Sequence, residues 1–224
     1  MKFKLNKKED YVVSQWSGGT TTQLGIYPAG EQYADRKFIW RLSSATVDLE
    51  ESDFTDLPDY NRILGVLQGE VVLSYEGIRS VKLGRLEYDY FDGAWKTKSF
   101  GKITDYNLMT RKGYTGRMEV LKLAEKAAEL ELKEAVTHAF FCTGSYAVVN
   151  FDGNSVMMKD GEQLIINECP AMKITFTGEG NLIHSMVFEG EDTDAAIRGE
   201  NRQTKPEGKP AATAFSEAAC PFRA

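Results

Sequence analysis

Short segments rich in β-branched and aromatic residues recur along most of this chain of 224 residues, separated by glycine, aspartate and asparagine. The clearest of these segments are Phe38–Val47, Arg62–Leu67, Glu70–Tyr75, Ile103–Thr110, Met118–Leu123, Ala139–Cys142, Tyr146–Phe151, Gln163–Ile166, Met172–Phe176 and Leu182–Phe188. Only residues 124–135 have a composition suited to a helix, and even there Leu130 and Leu132 follow the two-residue period of a strand. The spacing therefore predicts an all-β fold, either a sandwich or a barrel.

Composition excludes several classes of function. The net charge is −6 and no block of lysine and arginine stands out, so we expect no nucleic-acid partner. No apolar run approaches the roughly 20 residues that span a bilayer, and residues 1–10 lack the apolar core of a signal peptide. The three cysteines are too few and too scattered for a disulfide framework or a zinc site. We therefore expect a cytoplasmic protein with reduced thiols and no membrane partner.

Residues 104–111 are the segment with the clearest two-sided pattern. At a period of two, one face of a strand carries Asp105, Asn107, Met109 and Arg111. The other face carries Tyr106, Leu108 and Thr110. A polar face of this kind either meets water or lines a polar cavity. The pattern leaves both alternatives open.

Two arginines interrupt apolar segments upstream. Arg41 shares a strand face with Ile39 and Ser43, and Arg62 stands near the start of a strong strand. A buried arginine needs a carboxylate partner or a polar pocket, because an unpaired buried charge is costly. If Arg41 and Arg62 converge at the mouth of a barrel, they would bind a small carboxylate. The competing interpretation is a structural ion pair with Asp92 or Asp105.

Residues 16–24 form an unusual loop in which Trp16 and Ser17 precede two glycines and three threonines. The glycines allow a close approach of the backbone to a ligand, and the hydroxyls offer adjustable donors and acceptors. The loop is not a phosphate-binding Walker loop, because the Gly-Lys-Ser/Thr ending is absent. The alternative is a tight turn that leads Trp16 into the core.

An internal repeat is visible when residues 67–77 are laid beside residues 142–153. Each stretch has a strand, a glycine, a second apolar strand and an acid-Gly turn. This cadence resembles the double-stranded β-helix of the cupins, a form of jelly roll.

Six motifs in order then resemble one family, the HutD/Ves proteins, which are bicupins. The matching motifs are Trp16–Thr22, Trp40–Ala45, Phe54–Arg62, Leu67–Gly69, Phe91–Gly93 and Asp105–Gly113. They cover roughly residues 10–115, whereas the second half matches only in its cupin-like rhythm. Many relatives have asparagine before three glycines where this chain has Ser17 and two, although Thr22 still matches.

The resemblance implies a bicupin made of two jelly-roll barrels. Residues 1–115 would form the first barrel and residues 116–190 the second, and the prediction allows strands to be exchanged between them. Residues 191–224 are predicted to be a flexible tail, because their composition cannot bury enough surface to offset the entropy of ordering. A docking peptide at residues 215–222 is the alternative.

The resemblance also implies a non-catalytic protein that binds a histidine-degradation intermediate, such as N-formylglutamate or urocanate, and modulates histidine utilisation. The predicted ligand-binding residues are Trp16, Thr22, Arg41, Arg62, Asp92, Asp105 and Asn107. The expected partner is thus a small anionic metabolite, and the prediction allows a homodimer.

The alternative is a metal-independent cupin enzyme, an isomerase or hydrolase acting on a small carboxylate. Asp92, Asp105 and Tyr106 could supply its acid–base groups. Catalytic cupins usually hold a metal through a His-x-His pair, whereas this chain has only His138 and His184, far apart in sequence. We expect both to be satisfied strand histidines, and we predict no metal, no cofactor and no catalytic residue.

Overall fold

The computed structural model of the chain describes residues 1–190, and almost all of their regular structure is β-strand. The strands are β1 (Lys2–Asn6), β2 (Val12–Trp16), β3 (Gly19–Tyr27), β4 (Trp40–Val47), β5 (Glu51–Asp53), β6 (Tyr60–Gly69), β7 (Val71–Tyr75), β8 (Arg79–Leu83), β9 (Tyr88–Asp92), β10 (Thr97–Phe100), β11 (Ile103–Arg111), β12 (Tyr114–Lys122), β13 (Ala128–Leu132), β14 (Ala135–Phe151), β15 (Asn154–Lys159), β16 (Gln163–Cys169) and β17 (Met172–Glu189). Two 3₁₀ turns, Lys8–Asp10 and Tyr33–Asp35, are the only helical segments within this range. The all-β prediction is confirmed, and the predicted tail and docking peptide lie outside the described residues.

The strands form three sheets. The first has the order β2-β3-β4-β11-β6-β9 and the second has the order β5-β10-β7-β8. The third has the order β1-β16-β14-β17-β12, with β13 on β17 and β15 on β14. The segment at residues 124–135 contains the strand β13 rather than a helix, because Leu130 and Leu132 pair with the edge of β17. No helix within residues 1–190 has the length and apolar character needed to cross a membrane.

Three apolar cores hold the sheets together. The first core lies between the first and second sheets and includes Leu64, Leu73 and Phe91. Another lies inside the third sheet, which folds over on itself, and contains the two free cysteines Cys142 and Cys169. The last core joins the first sheet to the third.

The join between the sheets is partly polar. In this core the Trp40 Nε1–H donates to Thr137 Oγ1 at 2.7 Å, and this hydrogen bond links the first sheet to the third.

The same pairing order occurs twice along the chain. In the first occurrence β11 lies between β4 and β6, with Met109 opposite both Arg41 and Arg62. In the second occurrence β17 lies between β12 and β14, with Met186 opposite both Arg117 and His138. The same strand-pairing order thus occurs in both halves of the described chain, while the division into two barrels stays a prediction.

The N-terminal strand β1 joins the third sheet through β16, so the first and last strands of residues 1–190 lie in the same sheet. The predicted boundary at residue 115 falls just inside β12, and the division into two domains stays a prediction.

At the glycine of each repeated segment the strand bends sharply and does not reverse its direction as it would in a hairpin. Gly69 has a φ of 88° between β6 and β7, and Gly144 has a φ of 134° at a bulge within β14. A Cβ on Gly69 would lie 2.5 Å from the Lys102 carbonyl oxygen, and one on Gly144 would lie 2.7 Å from the Gly180 Cα. Only glycine allows the strand to bend here, and the bend moves the chain from one face of each barrel to the other.

Candidate functional site

Buried polar side chains gather on the face of the first sheet that looks towards the second sheet. We call this group the arginine cluster, and it consists of Gln23, Arg41, Ser43, Arg62, Asp105 and Asn107. The register places them together, because residues directly opposite in antiparallel strands share a face. Asn107 is opposite Ser43 on β4, and Met109 separates Arg41 from Arg62. The backbones of the two arginines are therefore about 10 Å apart across two strand spacings.

Arg62 is the most unusual member of the cluster. Its residue is only 6% exposed, and its guanidinium stacks over the rings of Phe54 and Phe91 at 4.7 and 5.1 Å. Within residues 1–190 no carboxylate lies within ion-pair distance of it, and its Nε–H has no hydrogen-bond partner. Burial lowers the pKa of Arg62 to about 10, so the group stays cationic at neutral pH. A buried cation without a counter-ion is the arrangement that attracts an anion.

Arg41 is fixed by neutral partners. Its Nε–H donates to Gln23 Oε1 at 3.0 Å and its Nη1 donates to Ser43 Oγ at 3.1 Å. The guanidinium also lies 4.2 Å from the centre of the Tyr33 ring. Burial lowers the pKa of Arg41 as well. The Arg41 side chain is thus held in place by neutral groups and keeps its positive charge. The guanidinium groups of Arg41 and Arg62 therefore lie on one face of the first sheet.

Asp105 lies at a gap in the pairing of β4 with β11, in the first sheet. The β4–β11 ladder has no paired residues at 105 and 106, and β11 carries a register shift at this point. The Ala45 amide donates to Asp105 Oδ1 at 2.7 Å, and Ser44 Oγ donates to the Asp105 carbonyl at 2.6 Å. The side chain therefore replaces a missing rung of the ladder. Burial raises the pKa of Asp105 to about 7, against the Ala45 hydrogen bond and the nearby arginines.

Asn107 offers a free acceptor beside the arginines. Its residue is 4% exposed, and its Oδ1 has no hydrogen-bond partner among the described residues. A buried amide oxygen without a partner costs about 1–3 kcal/mol unless a donor reaches it. A ligand that combines a carboxylate with an N–H group would satisfy the arginines and Asn107 together.

Three of the predicted site residues lie elsewhere. Trp16 is 39% exposed at the β2–β3 hairpin, with its ring over Gly18. That hairpin pairs with β4 near Val47, about 20 Å along the strand from Arg41. Thr22 is opposite Ser44 and so faces the core that joins the first sheet to the third. Asp92 binds Lys112 at 2.9 Å and accepts from the Ala94 amide in the turn after β9.

The remaining four predicted residues, Arg41, Arg62, Asp105 and Asn107, are brought together. The structure adds Gln23 and Ser43, and it places the aromatic rings of Tyr33 and Phe54 against the arginines. Ser43 follows from the two-residue period of β4. Gln23 takes the place predicted for Thr22, because neighbouring residues of β3 face opposite sides and Gln23, opposite Ser43, lies on the face of the arginine cluster. Tyr33 and Phe54 stand in connections without periodicity.

The two histidines, 46 residues apart in sequence, are in contact. His138 Nδ1 lies 2.8 Å from His184 Nε2 inside the third sheet, and both residues are 1% exposed. Their prediction as satisfied strand histidines is confirmed, whereas their proximity had no signal in the sequence. Within residues 1–190 no three His, Cys, Asp or Glu side chains are placed to hold one metal ion.

The sheets bend at glycines, and the same strand-pairing order occurs in both halves of the described residues. This architecture is that of a cupin β-barrel protein. Similar folds occur in three solved structures. HutD from Pseudomonas fluorescens SBW25 has a TM-score of 0.71 and 23% identity, over 85% of this chain and 100% of that chain. A conserved protein of unknown function from Pseudomonas aeruginosa PAO1 has a TM-score of 0.75 and 21% identity, over 85% and 100%. Oxalate decarboxylase from Bacillus subtilis, in a mutant form, has a TM-score of 0.58 and 7% identity, over 84% and 77%.

The HutD family model matches residues 8–184, and the chain belongs to the HutD family. This confirms the resemblance drawn from the six motifs and extends it through the second half of the chain. None of the curated proteins matches the chain.

Proposed function

We propose that this chain binds a small carboxylate metabolite at the arginine cluster and modulates histidine utilisation without catalysing a step. The observation that carries the proposal is the buried Arg62 guanidinium, which has no carboxylate within ion-pair distance among residues 1–190. A structural ion pair would have filled this position with Asp92 or Asp105. Asp92 instead binds Lys112, and Asp105 accepts from the Ala45 amide. The cation is therefore available to a ligand.

The surroundings of Arg62 narrow the chemistry of the ligand. Arg41 supplies a second cation on the same face, and the Asn107 Oδ1 requires a donor. N-formylglutamate carries both carboxylates and an amide N–H, and urocanate carries a carboxylate and a ring N–H. Either compound would meet both requirements, and both are intermediates of histidine degradation, the pathway with which the family is linked.

The test is a thermal-shift panel of histidine, urocanate, formiminoglutamate, N-formylglutamate and glutamate. A compound present at ~100 times its Kd should stabilise the fold by about 2.7 kcal/mol. In Arg62→Met the side chain keeps much of its apolar packing but loses its charge, so binding should weaken at least ~100-fold, as expected when a charge-assisted bidentate pair is lost. The matched control is Arg85→Met, which removes an exposed arginine and should bind normally.

The stability of the unliganded variants decides between a ligand site and a structural role. Loss of a desolvated, unpaired charge should leave Arg62→Met as stable as the wild type or more stable. Normal binding by Arg62→Met together with a large loss of stability would refute the proposal and support a structural role for Arg62.

An enzyme that acts on a small carboxylate is the second candidate, because Asp105 has a pKa raised by burial to about 7, near the optimum for a general base. Incubation of each panel compound with the protein, followed by NMR of the mixture, distinguishes the two functions. Product formation that is lost in Asp105→Asn while binding is retained would favour the enzyme. Saturable binding without product favours the regulatory binding protein.

A further inference from the structure

A third arginine stands beside the arginine cluster, in the connection between β3 and β4. The ring of Tyr33, in the 3₁₀ turn of this connection, is in contact with two guanidinium groups. The Arg41 Cζ lies 4.2 Å from the centre of the ring, and the Arg36 Cζ lies 3.7 Å from it. Two planar groups this close to one ring centre would overlap on a shared face, because carbon atoms in contact are about 3.5–4 Å apart. Arg36 and Arg41 therefore lie on opposite faces of Tyr33.

The backbone of Arg36, and not its side chain, fixes the position of the residue. Its carbonyl accepts from the Tyr60 hydroxyl at 2.9 Å and from Arg111 Nη2 at 2.7 Å. Its N–H donates to the Tyr33 carbonyl at 3.4 Å, and its φ of 53° closes the turn. These contacts hold the connection against the first sheet and leave the Arg36 guanidinium without a structural task.

The Arg36 guanidinium has no counter-ion within residues 1–190. No carboxylate in this range lies within ion-pair distance of it, and its Nη1 is buried without a hydrogen-bond partner. Burial is the main cause of the lowered pKa of Arg41, and the charge of Arg36 adds to it, so the two cations repel each other. A charged nitrogen that is kept from water without an acceptor is unfavourable. A ligand that supplies an acceptor would remove that cost.

The charges around Tyr33 do not balance. Burial lowers the pKa of both Arg41 and Arg62, and among the described residues Asp105 is the one carboxylate whose charge opposes this effect on both. Burial raises the pKa of Asp105 to about 7, so only about half of the molecules carry its charge at neutral pH. Together with Arg36, the cations therefore exceed the neighbouring negative charge by at least two. One carboxylate of a ligand would not neutralise that excess.

We propose that the ligand is a dicarboxylate, and that Arg36 receives its second carboxylate while Arg41 and Arg62 receive the first. This inference rests on the proposed function, since it assumes that a carboxylate metabolite binds at the arginine cluster. Arg36 is partly exposed whereas Arg62 is buried, so the second carboxylate lies nearer the surface. The ring of Tyr33 lies between the two positions and offers an apolar edge to the carbon chain of the ligand.

The residues that would select the second carboxylate lie outside the six family motifs. Arg41 and Arg62 fall within two of those motifs, whereas Tyr33 and Arg36 fall in the interval between Thr22 and Trp40. The choice between a monocarboxylate and a dicarboxylate would thus be made by the connection between β3 and β4. In the panel of the proposed function, this favours N-formylglutamate over urocanate.

The test compares two ligands that differ by one charge. N-Formylglutamine has the shape of N-formylglutamate, but a neutral amide replaces its side-chain carboxylate. The proposed contact of the formamide N–H with Asn107 places the α-carboxylate with Arg41 and Arg62, so the side-chain carboxylate is the one that reaches Arg36. Calorimetric titration of the wild type should show at least ~10-fold weaker binding of N-formylglutamine, as expected when a charge-assisted pair is lost.

Arg36→Met tests whether Arg36 is the group that binds the second carboxylate. The contacts that hold the turn are backbone groups of residue 36, and methionine has a Cβ as arginine does, so the variant should fold with the same turn. We expect Arg36→Met to bind N-formylglutamate at least ~10-fold more weakly and N-formylglutamine within ~3-fold of the wild type. The variant should therefore bind the two compounds with nearly equal affinity.

Two further measurements separate Arg36 from the rest of the cluster. In Arg62→Met both compounds should lose affinity by a similar factor, so their ~10-fold difference should remain. Urocanate has one carboxylate, so Arg36→Met should bind it within ~3-fold of the wild type. The matched control is Lys37→Met, which removes an exposed cation from the same connection and should bind N-formylglutamate normally.

The outcomes distinguish this inference from the proposed function. If no compound of the panel binds, or if Arg62→Met does not weaken binding, the proposed function fails and this inference fails with it. If binding depends on Arg62 but the wild type binds N-formylglutamate and N-formylglutamine equally, or binds urocanate alone, the proposed function stands and the dicarboxylate specificity is wrong. The dicarboxylate specificity is also wrong for Arg36 if the difference between the two compounds survives Arg36→Met.

Discussion

We call the two sets of side chains at equivalent register positions the first mouth and the second mouth, one in each half of the described residues, and their chemistry differs. In the first half, Arg62 and Asn107 are buried and contain polar atoms without partners among the described residues. In the second half, the equivalent positions hold His138 and His184, whose ring nitrogens all have partners. Within residues 1–190 the buried polar atoms of Arg62 Nε and Asn107 Oδ1 therefore lack hydrogen-bond partners, whereas the ring nitrogens of the two histidines are satisfied by neighbouring groups.

The difference shows how a repeated backbone can carry two different sets of polar side chains. The corner glycines and the pairing order maintain the shape of each mouth, and neither depends on the residues that line it. Four side chains at equivalent register positions then decide which charge the mouth attracts. The first mouth has two cations and one carboxyl group with a raised pKa, so an anion fits it. The second has two histidines that are hydrogen-bonded to each other and to Glu119.

The sharpest test of this contrast is leucine substitution at the equivalent positions 184 and 107. His184→Leu removes both hydrogen bonds of the His184 ring and leaves the buried His138 Nδ1 without a partner, so we expect a loss of about 3 kcal/mol in the free energy of unfolding. Asn107→Leu removes an acceptor that already lacks a partner, so its stability should stay within about 1 kcal/mol of the wild type.

Urea denaturation of both variants measures the two effects. Equal losses at the two positions would show that the first mouth is as internally satisfied as the second. The contrast between the mouths would then be wrong, and with it the reason for expecting a ligand at Asn107.

The second test compares the pH dependence of the stability that the carboxyl groups of Asp105 and Glu119 contribute. Burial raises the pKa of Asp105 to about 7 from an unfolded value near 3.8, so the folded state keeps a proton that the unfolded state has lost between these values. Stability from this group is therefore present below pH 4 and falls as the pH rises towards 7, by about 1 kcal/mol per pH unit between pH 5 and pH 7. Asp105→Asn should remove this contribution, while His138, whose pKa burial lowers to about 4, adds a rise in stability between pH 4 and pH 6.5 in both proteins.

Glu119 should show the opposite trend. Its pKa is lowered by the hydrogen bond from His184, so its contribution is present above the ordinary value of 4.5 and is lost as the pH falls below it. Stability measured from pH 3.5 to pH 8 on the wild type, Asp105→Asn and Glu119→Gln separates the two windows. The contribution of Asp105 is the difference between the wild type and Asp105→Asn, and a difference that does not fall between pH 5 and pH 7 would contradict the raised pKa of Asp105.

The sequence predicts the parts of this arrangement that depend on local alternation. The period of two placed Arg41 with Ser43, and Asp105 with Asn107, on single faces of β4 and β11, and both assignments are confirmed by the register. The two-residue period does not predict which strands become neighbours in the sheet. The contact between His138 and His184 depends on β14 pairing with β17, which is a long-range event.

The residues that the sequence misplaced or missed have local causes. Thr22 and Gln23 are neighbours that face opposite sides of β3, so Gln23 lies beside Arg41 and Thr22 faces the core that joins the first sheet to the third. The opening of the β4–β11 ladder gives Asp105 a backbone partner that no motif indicates. Bulges of this kind follow from the local fit of packed strands, so one extra residue reverses a face without leaving a composition signal.

The smallest expected effect concerns Asp92, which the sequence placed in the ligand site. Its carboxylate lies 2.9 Å from Lys112 Nζ, and both side chains are partly exposed, at 31% and 40%. Exposed pairs of this kind contribute less than about 1 kcal/mol, so Asp92→Asn should change the free energy of unfolding by less than that. The pair lies outside the arginine cluster, so the affinity for any carboxylate of the panel should change less than about twofold, the range of sites with no shared partners. Calorimetric titration of Asp92→Asn beside Asp105→Asn measures both. A tenfold loss of affinity in Asp92→Asn alone would restore Asp92 to the site and show that the turn after β9 moves when the ligand binds.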